Sequence, residues 1–354
     1  MDYGIGCTKL GRLRECGNKR LNIDRLNTEK NLADVWDQFA GPGREGFPRG
    51  GILIVGHGTR NAAGVQELIE LVDSMRNLLP EGIPIEASFL ELANPTIDQA
   101  VEKLQAQNCE KLLVIPILLF TAAHAREDIP DAVRAAVEPR SIRVVSQSTS
   151  LGTDEAALEL SQDRFMSALQ CRNREGCLRA SACDMATQCM GGFLPVAQSA
   201  EPIVGAAAIA GAAASVGVSA GEQTVRVGLA MVGRGTSDAD ARGHMLELTG
   251  MRVQSSPVEI SWFQTGFFAG GSPTVAELLQ AADESDCDCI VVQPHLLFEG
   301  LLSVQLRAMV DAHRQAGSKK RWLVAPTLGA DPKLAETFLM LGKKAILSIP
   351  TNGS

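Results

Sequence analysis

Excess positive charge is the first thing this sequence lacks. Its 354 residues include 33 Lys and Arg against 41 Asp and Glu, a formal net charge of −8 with a pI near 5.3. Proteins that neutralise phosphates normally carry a basic footprint, so nucleic acid is not an expected partner. Aromatic residues are scarce at 4% while glycine is plentiful at 34 residues, a balance typical of α/β domains with many tight strand-to-helix turns. Long apolar runs are missing too. Residues 1–20 carry Arg and Lys but no apolar stretch that would serve a secretory signal. The uncharged stretch 202–220 is mostly Ala, Gly and Ser, with too little Leu and Ile to enter a bilayer. The expected setting is therefore cytoplasmic, with no membrane partner. At about 100–200 residues per domain, the length calls for two domains.

Cysteine is present, but not as a disulfide framework: nine is an odd number, and no export signal accompanies it. Cys171, Cys177, Cys183 and Cys189 recur every six residues among Arg172, Arg174 and Arg179, without the familiar C-x-x-C pairs. Three readings stay open for them: an iron–sulfur cluster, a zinc site, or reduced thiols. Cys109, Cys287 and Cys289 adjoin apolar strands and read as small core residues.

Buried-strand runs alternate with helical patterns through both halves of the chain. Gly51–Val55 is such a run. It is followed by a helix with Val65, Leu68, Ile69, Val72, Met75 and Leu79 on one face. A strand at 85–90, a helix with Asn94 as N-cap and Pro95 at its first position, a strand at 112–119, a helix after Pro130 and a strand at 142–145 complete the unit. The order then returns. Val55-Gly-His-Gly-Thr59 matches Val232-Gly-Arg-Gly-Thr236, and Asn94-Pro-Thr96 matches Ser272-Pro-Thr274. Pro116-Ile-Leu-Leu-Phe120 matches Pro294-His-Leu-Leu-Phe298, and Leu151-Gly-Thr-Asp154 matches Leu328-Gly-Ala-Asp331. All four keep one register to within a residue, which chance similarity between two apolar sheets would not do. The pattern predicts an α/β protein of two tandem related lobes, each a parallel sheet flanked by helices, with a cleft between them. The division expected is a polar, poorly ordered extension over 1–49, a first lobe over 50–170, a linker over 171–223, a second lobe over 224–345 and a tail over 346–354. Two lobes in one chain make a monomer sufficient to form the cleft.

Ligands of open parallel sheets bind beyond the carboxyl ends of the strands. Three side chains of the first lobe fall there: His57 after the first strand, Glu91 closing the second, and His124 in the loop after the third. Two imidazoles and a carboxylate suit a divalent ion of iron, cobalt, nickel or zinc, and they also suit proton removal near neutral pH. Gly56 and Gly58 let the backbone turn sharply and leave room for a large flat ligand, with Thr59 beside them. In the repeat register His57 becomes Arg234 and His124 becomes Leu302, so only the first lobe should carry chemistry. Arg234 reads either as a partner for an acidic ligand group or as a structural charge. His295 falls within a strand and reads as structural.

The order Gly56-His57-Gly58-Thr59-Arg60, Phe89-Leu-Glu91-Leu-Ala-Asn-Pro95, Pro116-Ile-Leu-Leu-Phe120 with His124, and Asp128-Ile-Pro130 resembles the class II sirohydrochlorin chelatases. The resemblance spans both lobes. It implies insertion of cobalt or ferrous iron into sirohydrochlorin, with release of two protons, for cobalamin or sirohaem. It also implies that His57, His124 and Glu91 face the metal and the macrocycle; the chemistry of insertion then leads us to expect the two histidines to present the metal and accept pyrrole protons, while Glu91 tunes their basicity or takes a proton itself. No organic cofactor is implied; the metal is a substrate. The macrocycle's carboxylates call for local cations, and Arg60 and Arg126 lie beside the two histidines. Two other readings stand beside this one. A tetrapyrrole or metal carrier would bind without turnover. A histidine phosphatase would want Arg before its histidine, where this chain has Gly56.

Overall fold

The computed structural model describes residues 35–41, 49–120, 123–170 and 225–349, without the side chains of residues 123–126 and 170. Each repeat forms one four-stranded, all-parallel sheet. In the first, β1 (Arg49–Gly56), β2 (Ile85–Phe89), β3 (Cys109–Ile117) and β4 (Arg143–Gln147) lie in the order β2-β1-β3-β4. In the second, β5 (Val227–Gly233), β6 (Ile260–Phe267), β7 (Cys289–Pro294) and β8 (Arg321–Val324) repeat it as β6-β5-β7-β8. The helices are α1 (Val35–Ala40), α2 (Ala62–Leu78), α3 (Ile97–Ala106), α4 (Ala123–Val137) and α5 (Glu155–Gln170), then α6 (Ala239–Gln254), α7 (Val275–Glu284), α8 (Leu301–Gln315) and α9 (Pro332–Leu347). No helix among the described residues is long and apolar enough to cross a membrane.

Strand side chains alternate between faces, and both faces of each sheet are covered, which is why the strands read as unbroken apolar runs. Leu53 and Val55 of β1 pack with Leu112 and Val114 of β3 against Ile97, Val101 and Leu104 of α3 and Ile129 and Val133 of α4. On the opposite face, Ile52, Ile54, Leu113 and Ile115 meet Leu68, Leu71, Val72 and Met75 of α2.

The remainder of that face is roofed from the other repeat. Leu334, Phe338, Leu341 and Ala345 of α9 lie in the core of the first sheet. Reciprocally, Phe165, Ala168 and Leu169 of α5 lie with Val227, Leu229, Met231 and Val291 in the core of the second. The lobes in space thus differ from the division 50–170 and 224–345 expected from sequence, because each repeat gives its last helix to the other's sheet. Arg164 of α5 pins the exchange: it donates to the carbonyls of Thr327 and Leu328 and pairs with Asp331 at 2.9 Å.

Three local expectations also change. The helix α1 falls within the extension expected to be poorly ordered, yet Trp36 and Phe39 are buried on the first core, and Lys343 of α9 lies 5.8 Å from the Trp36 ring centroid. Its two rings three residues apart supply the apolar face that a short helix needs in order to dock. The N-cap of α3 is Thr96, not Asn94: its hydroxyl accepts the Gln99 N–H while the Gln99 side chain accepts the Thr96 N–H. Thr274 and Glu277 reproduce this capping box in α7. Finally, α4 starts at Ala123 and carries Pro130 internally, so position 124 is in a helical first turn rather than a loop. A single proline removes only one N–H donor, and the helix continues around it. The rest of the extension, the linker with its four cysteines and the end of the tail lie outside the described residues.

The exchange makes a specific prediction. Phe338→Ala, although in the second repeat by sequence, should cost about 3–5 kcal/mol. Hydrogen exchange followed by mass spectrometry should show the loss of protection in β1 and β3 ahead of β5 and β7.

Candidate active site

In the order β2-β1-β3-β4 the chain leaves β1 to one side and later crosses to the other, so a crevice opens at the carboxyl ends of β1 and β3. His57 stands at that point. Its turn is built by backbone bonds to the end of β2: Leu90 N–H donates to Gly56 C=O at 2.9 Å, and Glu91 N–H donates to His57 C=O at 3.1 Å. Gly58 makes this possible. Its φ is +101°, and a Cβ there would sit 1.7 Å from the Glu91 carbonyl oxygen. The second repeat keeps the same device, with Gly235 at φ +82° against the Ala269 carbonyl. Gly56 is buried, and a Cβ on it would meet Leu68 at 2.8 Å. Thr59 shapes the turn, its hydroxyl accepting the Asn61 N–H at 3.1 Å, and Asn61 in turn caps α2.

These bonds bring Glu91 Oε1 to 3.5 Å from His57 Nε2, with both side chains open to solvent. From the facing lobe, Arg234 Nη2 lies 3.4 Å from the same Nε2. The pKa of His57 is held below the ordinary imidazole value, first by partial burial and then by the Arg234 charge, with Glu91 and Asp128 acting the other way. The free base, the form with a lone pair to give, is therefore favoured at neutral pH.

Asp128 belongs to the site although its residue type alone does not mark it. Its charge reaches His57 from the second turn of α4, and position 124 lies one turn earlier on the same helical face. The side chains of His124 and Arg126 lie outside the described residues, as do Cys171, Cys177, Cys183 and Cys189. Arg60 is exposed. Among the described residues no three His, Cys, Asp or Glu are grouped as a metal site; the donors in contact at the crevice are the His57 nitrogen and a Glu91 oxygen, with the Asp128 carboxylate nearby. Together they can offer a borderline divalent ion one nitrogen and one carboxylate, or accept a proton and share its charge.

Beside the crevice, Phe120 crosses to the second lobe, its ring 5.7 Å from His295 and 6.1 Å from His244. His295 is buried, its ring nitrogens have no hydrogen-bond partner among the described residues, and burial lowers its pKa to about 4. Cys109, Cys287 and Cys289 are buried free thiols.

Comparison with known proteins finds the same family in both repeats and the same fold among solved structures. The CbiX family model matches residues 51–168 and again 228–342. A sirohydrochlorin ferrochelatase of Priestia megaterium is 24% identical over 85% of this chain and 92% of its own length. A sirohydrochlorin ferrochelatase of Bacillus subtilis is 26% identical over 81% and 88%, and a sirohydrochlorin cobaltochelatase of Priestia megaterium 24% over 80% and 76%. Among solved structures, SirB from Bacillus subtilis with Fe3+ superposes with a TM-score of 0.59 at 22% identity, covering 82% of this chain and 93% of that one. The sirohydrochlorin chelatase SirB from Bacillus subtilis subspecies spizizenii, in complex with cobalt, gives 0.57 at 21%, covering 83% and 94%.

Two outcomes test the site's construction. Gly152 has φ +62°, and a Cβ added there would meet nothing within 4 Å, so Gly152→Ala should cost only about 1–2 kcal/mol of backbone strain. Gly58→Ala adds the collision with Glu91 and should lower the urea midpoint clearly further. For His295 the sign is set by its lowered pKa: folding excludes a proton that the unfolded chain binds. Stability is full above about pH 6.5 and should fall by about 3 kcal/mol as pH drops towards 4. His295→Leu should flatten that part of the stability curve measured by urea titration.

Proposed function

The chain belongs to the CbiX family, and on that premise we propose that it is a chelatase that inserts a divalent metal, cobalt or ferrous iron, into sirohydrochlorin with release of two protons. The observation that carries this reading is that the family matches both repeats, while the histidine and carboxylate at the strand ends stand in the first alone. The reaction asks for three things: a ligand that lets the hydrated ion shed water, bases for two pyrrole protons, and a surface that holds an anionic ring.

His57 meets the first two demands as a free base whose side chain is half-buried and open to the crevice. It presents the ion, and once the ion has passed into the ring it takes a pyrrole proton. Glu91, 3.5 Å away, steadies the imidazolium so formed or accepts the proton itself. His124 is the second imidazole of the set, and Arg60 and Arg126 are cations for the ring's carboxylates. One doubly charged ion enters and two protons leave, so the charge inside the ring does not change. Nitrogen and carboxylate donors serve cobalt and ferrous iron alike, and supply decides between them. We place the reaction in the cytoplasm, where ferrous iron and thiols stay reduced.

Replacing either histidine, as His57→Ala or His124→Ala, should slow insertion of both metals by about 10²–10⁴-fold, the range for a positioned acid–base group, with the macrocycle still bound. Initial rates from the absorbance change of the ring measure this, and an unchanged rate removes that residue from the mechanism. Because the His57 pKa is lowered, activity should persist below pH 6.5 and fall only as pH drops through the lowered value.

A further inference from the structure

The two Gly-x-Gly-Thr turns face one another across the lobes, and they differ at their central residue. In the first it is His57 and in the second Arg234, 177 positions apart, with Arg234 Nη2 3.4 Å from His57 Nε2. A guanidinium has no lone pair and stays protonated, so it is the donor in this contact and the Nε2 lone pair is the acceptor. That lone pair is also what a metal ion must have. An ion bound to Nε2 sits about 2 Å from it, in the space where the guanidinium now lies. The arginine and the ion therefore exclude one another, by volume and by like charge.

The arginine is placed so that only its side chain needs to move. Its backbone is fixed by the Ala269 N–H, which donates to the Arg234 carbonyl at 3.2 Å, and by Gly235, pressed against the Ala269 carbonyl. Arg242 holds the other side of the turn through the carbonyls of Thr236 at 2.7 Å and Gly270 at 3.1 Å. The side chain itself is exposed, and none of the ion pairs among the described residues involves it. A cation that donates to a neutral imidazole at 3.4 Å, in a chain of net charge −8, has a much better partner in any carboxylate brought to it.

We propose that Arg234 is a latch on the metal-binding nitrogen and a docking cation for the macrocycle: a ring carboxylate draws the guanidinium off His57, so the macrocycle must bind before the metal. The proposal rests on the chelatase reading and adds an order of binding to it. The second repeat, without imidazoles of its own at these positions, then takes part in the reaction by controlling access to the first.

The test uses the full chain and two ligands measured apart. Co2+ alone is titrated calorimetrically into the wild type, Arg234→Gln and the double variant Arg234→Gln/His57→Ala. Steady-state insertion is then measured for wild type and Arg234→Gln. The single variant should bind Co2+ about tenfold more tightly than wild type, and the double variant should lose that gain. The KM for sirohydrochlorin should rise about tenfold while kcat stays within about threefold, and initial-rate patterns should change from ordered to random. A residue that only shapes the turn would weaken or leave unchanged the affinity for Co2+, never strengthen it. An unchanged Co2+ affinity or an unchanged KM overturns the proposal. Failure of the wild type to insert metal would instead overturn the chelatase reading, and the Co2+ titration, which needs no macrocycle, would still decide whether Arg234 guards His57.

Discussion

The exchange of the last helix of each repeat is the constraint on which the rest of this structure depends. With α9 seated on the first sheet and α5 on the second, the two sheets share their cores rather than an interface between finished domains. Opening the lobes as rigid bodies would strip Phe165, Ala168 and Leu169 from the second core. Exposing one fully buried phenylalanine or leucine side chain costs about 1.5–3 kcal/mol, so losing these together is a large fraction of a domain's stability. The spacing between the carboxyl ends of β1 and β5 is thereby held by hydrophobic burial, with the Arg164–Asp331 pair fixing the register. A linker need not do this work. The contact between His57 and Arg234 is a consequence of that spacing, and the crevice inherits the rigidity of two cores.

The sheets and their duplication were legible because a strand buried on both faces writes itself as a continuous apolar run, and because the matches kept one register. The helix exchange was not. An amphipathic pattern states that a face is buried but not what buries it, and two related sheets offer nearly equivalent surfaces to the same helix. The carboxyl-end rule depends only on strand direction, and His57 and Glu91 lie 3.5 Å apart at those ends. It could not anticipate α1, whose docking rests on Trp36 and Phe39 finding an α9 that arrives from the far end of the chain. Asp128 stood in one of the motifs that carry the resemblance, but its bearing on His57 shows only once its helix is aimed at the crevice. Arg234 was visible as the residue replacing a histidine, but its meaning lies in what it faces.

Duplication explains why the scaffold is so similar in the two repeats while the chemistry is not. The turn after β1 and the turn after β5 use the same backbone bonds, the same close approach of glycine to carbonyl, and the same capping box downstream. These features set the backbone path and tolerate little change, whereas the side chain between the two glycines projects into the crevice and is free to differ. Two histidines there would face each other across a few ångströms and offer one ion two equivalent footholds. An arginine at one of them removes that symmetry and gives the crevice a direction.

Charge then separates what the protein does at a distance from what it does in contact. A net −8 favours a cation and disfavours an anionic ring, but at physiological ionic strength such fields fade over about 8 Å. Within that distance of the crevice the local charges dominate, and there Arg234 lies 3.4 Å from the nitrogen proposed to receive the cation. On the proposed reading, long-range attraction gathers metal near the protein, while the short-range cation keeps it off His57 and invites carboxylates. The ligand that is disfavoured from afar is the one preferred on contact, so an acidic chain and an acidic substrate are compatible so long as the compensating charge stands inside the site.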